Sequence, residues 1–217
     1  MSHCRGKTED TIATDRPSWL DEFERVPGWL DPGEALLLSR LAAEKRPGRV
    51  VEIGSYQGRS AIALAKGLQE TAPLLAIDTF RGSPEHWAGG EYFDPQTMDA
   101  DGAIDTLPLF RKHICDFGVE HLVEVWRDDS LSAAGRMIDP VSLLFIDADH
   151  AYPSVRRDLG AWLPHLVARG IVVLHDVGDW EGPTRAAADL LSCGFRRLDQ
   201  VGTALALEAP SQLPLLP

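Results

Sequence analysis

Cysteine is scarce in this sequence, and long apolar runs are absent from it. The three cysteines, Cys4, Cys115 and Cys193, stand far apart among 217 residues, without CxxC or CxxH spacing. Neither a disulfide framework nor a cysteine-based zinc site is therefore expected. No apolar stretch approaches the roughly 20 residues of a membrane span, and the polar start MSHCRGKTED has no apolar signal core. We expect a cytoplasmic protein that does not enter a membrane.

Positive charge is also in short supply. Lys and Arg number 21 against 33 Asp and Glu, which gives a formal net charge of -12 at pH 7. An acidic protein repels phosphate backbones and anionic lipid, so nucleic acid is not expected as a partner. Hydrophobic residues make up 44% of the chain and charged residues 25%, which is ordinary for one globular domain of this length.

Short apolar runs alternate with helical patterns along the chain. Strands are predicted at RVVEIG, PLLAIDTF, HLVEVWRDDS, VSLLFIDADH and IVVLHDVGD, and helices at DPGEALLLSRLAAEKRPG, RSAIALAKGLQE and YPSVRRDLGAWLPHLVARG. This alternation predicts an α/β fold with a Rossmann-like, doubly wound and mostly parallel sheet that has helices on both faces. After a helix at GPTRAAADLLSCGF, the runs FRRLDQ and TALALEA predict an antiparallel C-terminal hairpin, which brings the sheet to seven strands.

Composition divides the chain into three parts. Residues 1–17 are polar and predict a flexible N-terminal arm, residues 18–208 form the domain, and residues 209–217 are a tail interrupted by prolines. Residues 81–101 lack periodicity and contain glycine, proline and aromatic residues, so we expect a lid loop over the carboxyl edge of the sheet. The arm and the tail could also cover a second copy of the chain in a homodimer.

The most specific motif is VVEIGSYQGRSAIALA at residues 50–65. Glu52 closes the first predicted strand, and Ser60 opens the next helix. Between them, Gly54 and Gly58 allow a bend and the close approach of a ligand. The pattern is not the GxGxxG of dinucleotide-binding proteins, because it has two glycines four residues apart after an acid. Asp78 ends the second strand, a position from which a carboxylate can accept the hydroxyls of a ribose.

Ionisable residues follow the fourth and fifth predicted strands. Asp147, Asp149 and His150 come after the fourth strand, and the fifth ends at His175 and Asp176. The helix between the two strands acts as a crossover that makes them parallel neighbours, so their ends should meet at one edge of the sheet. Neighbouring carboxylates repel each other unless a proton or a cation shields them, which makes a divalent metal a natural occupant.

These features together resemble a known family. The motifs EIGSYQGRS, Asp78, DDS at 128–130 and FIDADH resemble those of class I S-adenosylmethionine (SAM)-dependent methyltransferases, over residues 26–208. Within that superfamily the chain looks most like small metal-dependent O-methyltransferases, such as the catechol, caffeoyl-CoA, macrolide-sugar and antibiotic-tailoring enzymes. The resemblance implies that residues 18–208 are a methyltransferase domain, that SAM is the cofactor, and that a hydroxyl of a small natural-product intermediate, a sugar or a phenol is methylated.

The resemblance also assigns residues to SAM. Those that would line its methionine and ribose side are Glu52, Gly54, Tyr56, Gly58 and Ser60. Asp78 would hold the ribose hydroxyls, and Asp147 would lie beside the methyl donor. Asp129 and Ser130 would meet the adenine, although RDDS could instead simply cap a helix.

A metal and a general base complete the implied site. Asp147, His175 and Asp176 would hold a divalent metal, Mg or Mn by resemblance, but His175 stands where the family usually has a carboxylate. Imidazole suits manganese, iron, nickel or zinc better than magnesium. His175 could instead bond to a neighbour, or the site could hold no metal. His150 stands where certain sugar O-methyltransferases keep a catalytic histidine that removes a hydroxyl proton. It could also be a helix-start histidine, with Asp149 as a cap or as the residue that orients it.

Two other functions stay open at the level of sequence. One is a non-methylating cyclase or isomerase on the same scaffold that uses bound SAM only electrostatically, and the other is a degenerate binding protein. The acceptor is equally open, since a sugar, a phenol or a small polyketide would suit the aromatic loops. The loop residues that could stack on such a substrate are Trp19, Trp29, Trp87, Tyr92 and Phe93.

Overall fold

The computed structural model describes residues 16–44, 46–68 and 73–213. Most of the predicted N-terminal arm and the last four residues of the predicted tail lie outside the described residues. Among the helices that the structure does describe, none has both the length and the hydrophobicity that would be needed to span a bilayer.

Seven strands in the described part of the chain form a single sheet. They are β1 Arg49–Ile53, β2 Leu74–Asp78, β3 Val123–Arg127, β4 Val141–Ile146, β5 Leu166–Leu174, β6 Arg196–Val201 and β7 Ala204–Glu208. Their order across the sheet is β3-β2-β1-β4-β5-β7-β6. Strands β1 to β5 run parallel, whereas β7 pairs antiparallel with both β5 and β6. The predicted doubly wound sheet with an antiparallel C-terminal hairpin is confirmed.

Helices cover both faces of the sheet. The described α-helices are α1 Leu20–Phe23, α2 Pro32–Ala43, α3 Arg59–Gly67, α4 Leu107–Asp116, α5 Ser130–Arg136, α6 Tyr152–Trp162 and α7 Glu181–Ser192. Successive strand residues point to opposite faces, so Phe145 packs in one hydrophobic cluster with α2, α3 and α4, and Leu144 in another with α5, α6 and α7. Both cores are therefore built from the apolar runs that predicted the strands.

Two helical predictions differ from the structure. The helix predicted through Gly170 ends at Trp162; a 3-10 turn covers Leu163–His165, and β5 already begins at Leu166. Pro164 explains the early end, because proline has no N–H for a helical hydrogen bond and its ring clashes with the carbonyl four residues earlier. In addition, helices α1 and α4 have no counterpart among the predicted helices.

The ends of β1 and β4 approach each other closely at Gly54. This residue has a φ of +87°, and a Cβ built on it would lie 2.1 Å from the carbonyl oxygen of Asp147. Any larger side chain would therefore push the glycine turn away from the end of β4. The predicted bend brings the glycine turn, residues 54–58, next to Asp147, which with His175 and Asp176 forms the acidic corner of the site.

Candidate active site

A cavity of about 360 Å³ opens at the carboxyl ends of β1, β4 and β5. Its walls come from the glycine turn, the segment before α2, the side of the predicted lid that carries His86 and Tyr92, and the β6–β7 turn. Seven residues predicted from the sequence line it, namely Gly54, Tyr56, Ser60, Asp147, His150, His175 and Asp176. The crevice at the carboxyl edge of a doubly wound sheet is where such folds bind their ligands. The structure thus joins the glycine motif and the acidic corner in one cavity.

Asp78 fixes the backbone of the glycine turn. Its Oδ2 accepts hydrogen bonds from the backbone N–H groups of Ser55 at 2.7 Å and Tyr56 at 2.8 Å, and its Oδ1 accepts one from Phe80 N–H at 2.6 Å. Tyr56 is thereby held at a φ of +45°, in the left-handed region. Asp78 positions the turn in this structure, and its contact with a ribose stays a prediction. Gly58 follows as the N-cap of α3, also with positive φ.

Three other predicted residues act as, or beside, helix caps. Asp129 Oδ1 accepts hydrogen bonds from Leu131 N–H and Ser132 N–H at the start of α5, and Ser130 Oγ accepts one from Trp162 Nε1 at 3.0 Å. The described residues that line the cavity do not include Asp129 or Ser130, so their contact with adenine stays a prediction. Asp149 lies two residues before Ala151, the N-cap of α6; its Oδ1 accepts a hydrogen bond from Ala151 N–H and its Oδ2 accepts one from Ser154 Oγ.

The acidic corner is organised around His175. Its Nδ1 lies 3.3 Å from Asp147 Oδ1 and 3.3 Å from Asp176 Oδ2, and the ring is only 3% exposed. One ligand atom from each of the three residues lies within 4.8 Å of the others. Asp176 has a φ of +60°, a backbone strain of roughly 1–3 kcal/mol that tends to be kept at functional sites. The predicted meeting of the β4 and β5 ends is therefore present.

Glu34 completes this corner, and the sequence reasoning missed it. The residue is 2% exposed, and its Oε2 lies 3.3 Å from His175 Nε2. Burial by itself raises the pKa of Glu34, but hydrogen bonds from His175 and from the backbone outweigh it and lower the pKa to about 2. Glu34 is the third residue of α2, where it forms a capping box with Asp31. The capping box by itself explains why a glutamate stands at this position. The sequence therefore gave no sign of its second role, the contact with His175.

The residues of the corner fit a divalent metal. His175 Nδ1 is buried, and none of the described residues offers it a well-aligned hydrogen bond. Nitrogen and carboxylate oxygen atoms that face each other in this way are a donor set for manganese, iron, nickel or zinc. Burial by itself lowers the pKa of His175, but the surrounding carboxylates outweigh it and raise the pKa far above its ordinary value. A metal at this corner would have to displace the proton from Nδ1.

His150 stands at the edge of the same corner. Its Nε2 lies 2.9 Å from Asp176 Oδ2, and its ring stacks on Trp180 with the ring centroids 4.4 Å apart. Burial by itself lowers the pKa of His150, but the hydrogen bond to Asp176 and the nearby carboxylates outweigh it and raise the pKa above its ordinary value. The predicted general base is thus oriented by a carboxylate and by an aromatic ring, as a base that takes a substrate proton needs to be.

A family model decides the relationship that this geometry indicates. The model for the methyltransferase domain matches residues 51–177, which run from the glycine motif through the acidic corner. The chain belongs to the methyltransferase domain family. The matched segment contains Glu52, Asp78, Asp147, His150 and Asp176.

Known proteins resemble this methyltransferase over most of its length. The O-methyltransferase TomG from Streptomyces achromogenes, solved in complex with SAM, has a TM-score of 0.59 and 20% identity over 88% of each chain. The O-methyltransferase from Bacillus cereus, solved in complex with SAH, has a TM-score of 0.60 and 17% identity over 91% of this chain and 93% of its own. At these identities the likeness shows a shared fold.

One curated relative is much longer. The uncharacterized protein y4gI of Sinorhizobium fredii (strain NBRC 101917 / NGR234) is 28% identical over 160 residues, which are 69% of this chain. The matched segment spans 16% of the length of y4gI.

An aromatic cluster closes one side of the cavity of the methyltransferase. Trp29 contacts Tyr56 and Tyr92, with ring centroids 5.6 Å and 4.8 Å apart, and His86 lies 5.1 Å from Tyr56. Tyr92 and His86 belong to the predicted lid, which therefore packs over the glycine turn. Among the loop aromatics expected from the sequence, Trp29 and Tyr92 line the cavity, whereas Trp19 packs on Phe23 in the core.

Glu52 is a buried acid beneath the glycine turn. It is fully buried, Ser55 Oγ donates a 2.6 Å hydrogen bond to its Oε2, and Oε1 has no hydrogen-bond partner among the described residues. Burial raises its pKa from 4.5 to about 8, since an ionised carboxylate is poorly solvated there. This shift favours the protonated form of Glu52 at neutral pH.

The raised pKa of Glu52 predicts a pH-dependent stability. The folded chain keeps a proton that the unfolded chain releases above about pH 4.5, so the free energy of unfolding falls as the pH rises towards 8. Glu52→Gln should remove this fall, because the amide does not ionise. Urea unfolding at about pH 5 and about pH 9 should show a decrease for the native chain that exceeds that of the variant by several kcal/mol, at about 1.4 kcal/mol per pKa unit.

Glu120→Gln is the matched control. Glu120 is exposed in the turn before β3, so its variant should keep the pH dependence of the native chain. Equal decreases for Glu52→Gln and the native chain would show that Glu52 is ionised in the folded state at neutral pH.

Proposed function

We propose that this methyltransferase transfers the methyl group of SAM to a hydroxyl oxygen of a small molecule. The observation that carries the proposal is the single cavity in which the glycine turn meets His150 and the acidic corner. A Cβ built on Gly54 would lie 2.1 Å from the carbonyl oxygen of Asp147. The glycine turn and the acidic corner are therefore immediate neighbours. The SAM and SAH complexes of TomG and the Bacillus cereus enzyme, which share the fold, support the choice of cofactor.

The glycine turn and its neighbours would hold SAM. Tyr56 and Ser60 line the cavity beside Gly54, and Asp78 keeps the turn in one conformation. When bound, SAM supplies an electrophilic methyl group, and the chemistry of that group belongs to the cofactor. The protein contributes alignment of the two reactants, which is worth about 7–11 kcal/mol of the barrier in well-oriented systems.

His150 would remove the proton from the acceptor hydroxyl. Nε2 of neutral His150 would carry the proton and donate a hydrogen bond to Asp176 Oδ2, 2.9 Å away. The lone pair is then on Nδ1, and Nδ1 is the atom that takes the substrate proton. The imidazolium that results is stabilised by the carboxylate of Asp176. Stacking on Trp180 restricts the ring to one plane. General base catalysis of this kind contributes ~10²–10⁴ in rate.

Asp147, His175 and Asp176 would hold a divalent metal. The buried Nδ1 of His175 and the two facing carboxylates support this ligand set, and the imidazole favours manganese, iron, nickel or zinc over magnesium. A metal bound there would lower the cost of ionising the acceptor hydroxyl.

The charge of the cavity favours an uncharged or cationic acceptor. Five carboxylate residues line it, Asp31, Glu34, Asp147, Asp176 and Asp179. Among the residues that the structure describes, Arg59 is the single lysine or arginine in the lining, and its guanidinium donates to Leu30 O and Val26 O. An acidic cavity attracts cations and repels anions, and the aromatic cluster offers rings on which an acceptor can stack.

The reaction is tested with two series of acceptors, each built on one hydroxyl-bearing ring and carrying substituents of different charge. Catechol, dopamine and 3,4-dihydroxybenzoate form one series, and glucose, glucosamine and glucuronate form another. Release of SAH and a product heavier by one methylene are expected for uncharged or cationic members, with the anionic member of the series methylated least. Calorimetry should show SAM binding in the absence of any acceptor. Failure to bind SAM would contradict the proposed cofactor, and SAH release without a mass change would contradict transfer to the acceptor.

The role of His150 is tested by His150→Ala. Turnover of the best acceptor should fall by ~10²–10⁴, while the affinity for SAM in calorimetry stays that of the native chain. His121→Ala replaces an exposed histidine before β3 and should leave both quantities unchanged. A parallel fall in SAM affinity and turnover for His150→Ala would contradict the assignment as base.

The metal is tested by chelation. Excess EDTA should abolish turnover, and Mn²⁺ should restore it, while Asp147→Asn should weaken Mn²⁺ binding by about tenfold or more, since it removes a charged ligand. Asp179→Asn, at an exposed residue of the same cavity, is the control and should bind Mn²⁺ like the native chain. Full turnover in EDTA would mean that the His175 imidazolium, without metal, is the cation of this corner.

A further inference from the structure

We propose that Glu34 is a positioning residue that holds the His175 ring with its proton on Nε2, so that Nδ1 faces Asp147 and Asp176. The inference rests on the metal site of the proposed function, and it adds a residue from the N-terminal helix α2 to that site. Glu34 lies outside the matched family segment 51–177 and is separated from His175 by 141 residues of chain.

The carboxylate of Glu34 cannot turn away from the ring. Its Oε2 accepts a 2.8 Å hydrogen bond from Asp31 N–H, and its Oε1 accepts bonds from Thr203 N–H at 2.8 Å, Thr203 Oγ at 3.0 Å and Ala204 N–H at 3.3 Å. Donors on both oxygens fix the plane of the carboxylate. His175 Nε2 then meets Oε2 at 3.3 Å.

The β6–β7 turn is shaped to close over this carboxylate. Gly202 has a φ of +54°, and a Cβ built on it would lie 2.6 Å from Glu34 Oε1. The backbone of the turn therefore approaches the carboxylate as closely as a glycine allows. Helix α2, the end of β5 and the start of β7 are joined at one buried group.

The fixed carboxylate decides which nitrogen of His175 carries the proton. An ionised carboxylate accepts hydrogen bonds and donates none, so the nitrogen that faces it, Nε2, has to be the N–H. Nδ1 is then the nitrogen that gives up its proton when a metal binds, and it lies 3.3 Å from Asp147 Oδ1 and 3.3 Å from Asp176 Oδ2. A carboxylate behind a metal-binding histidine fixes its tautomer and orientation, and its removal typically costs 10–100-fold in metal affinity.

The variant Glu34→Gln separates a positioning role of Glu34 from a purely structural role, which would leave metal affinity unchanged. Glutamine can still accept the bonds from Thr203 and Ala204 with its amide oxygen, so the turn stays attached. Its NH₂ group then replaces Oε2 and faces Asp31 N–H and His175 Nε2 as a donor. That donor would favour the lone pair on Nε2 and the proton on Nδ1, which is the tautomer that blocks the metal.

The experiment measures zinc affinity and the protonation of His175 together. Zn²⁺ titration by calorimetry should give about 10–100-fold weaker binding for Glu34→Gln than for the native chain. Proton–nitrogen correlation spectra of ¹⁵N-histidine-labelled, zinc-loaded native chain should show the His175 proton on Nε2 and the metal on Nδ1. Glu44→Gln, at an exposed residue that follows the same helix, is the control and should bind Zn²⁺ like the native chain.

The outcomes separate this inference from the proposed metal site. A native chain that does not bind Zn²⁺ overturns the metal site and the inference with it. A native chain that binds Zn²⁺, together with a Glu34→Gln variant of equal affinity and unchanged His175 spectrum, overturns the role of Glu34 alone. Zinc on Nε2 in the native chain overturns it as well, and that result needs no variant, so it decides the matter even if Glu34→Gln does not fold.

Discussion

The buried imidazole of His175 is the group on which the rest of the site depends. Carboxylates from three separate elements, Glu34, Asp147 and Asp176, lie 3.3 Å from its two nitrogens. Carboxylates this close repel each other unless a positive charge lies between them, which is supplied either by a proton on the ring or by a divalent cation. Breaking one partner of such a buried group is costly, because the others are left uncompensated. His175 and its three carboxylates therefore form a single unit.

The fold brings this corner to the glycine turn through strand order. Strands β1 and β4 are neighbours, and β4 pairs in turn with β5, so that the residues after their ends share one edge of the sheet. Gly54 lets the two edges touch, because a side chain there would occupy the space of the Asp147 carbonyl. A bound methyl donor on the glycine turn would consequently lie next to the corner. Proximity of this kind is the main contribution that a methyltransferase makes to the transfer step.

Asp176 links the two chemical roles that the site is proposed to carry. Its Oδ2 lies 2.9 Å from His150 Nε2 and 3.3 Å from His175 Nδ1, so one oxygen serves both the base and the cation of the corner. A positive charge on His175 or on a metal beside Asp176 would therefore also change the electrostatic environment of His150. The two proposed functions would therefore be coupled through this carboxylate.

Local patterns in the sequence determined the strands, the fold class and seven of the site residues that line the cavity. Hydrophobic periodicity depends on near neighbours, and parallel strand ends converge by topology, so the meeting of Asp147 with His175 and Asp176 was predictable. The end of α6 was not predicted correctly, since apolar residues after Pro164 suit a helix or a buried strand equally well. Only the tertiary structure decided that Asp78 fixes the glycine turn and that Glu34 stands behind His175. Those contacts depend on how distant elements pack, and a residue such as Glu34, already explained by its helix cap, gives no local sign of a partner 141 residues away.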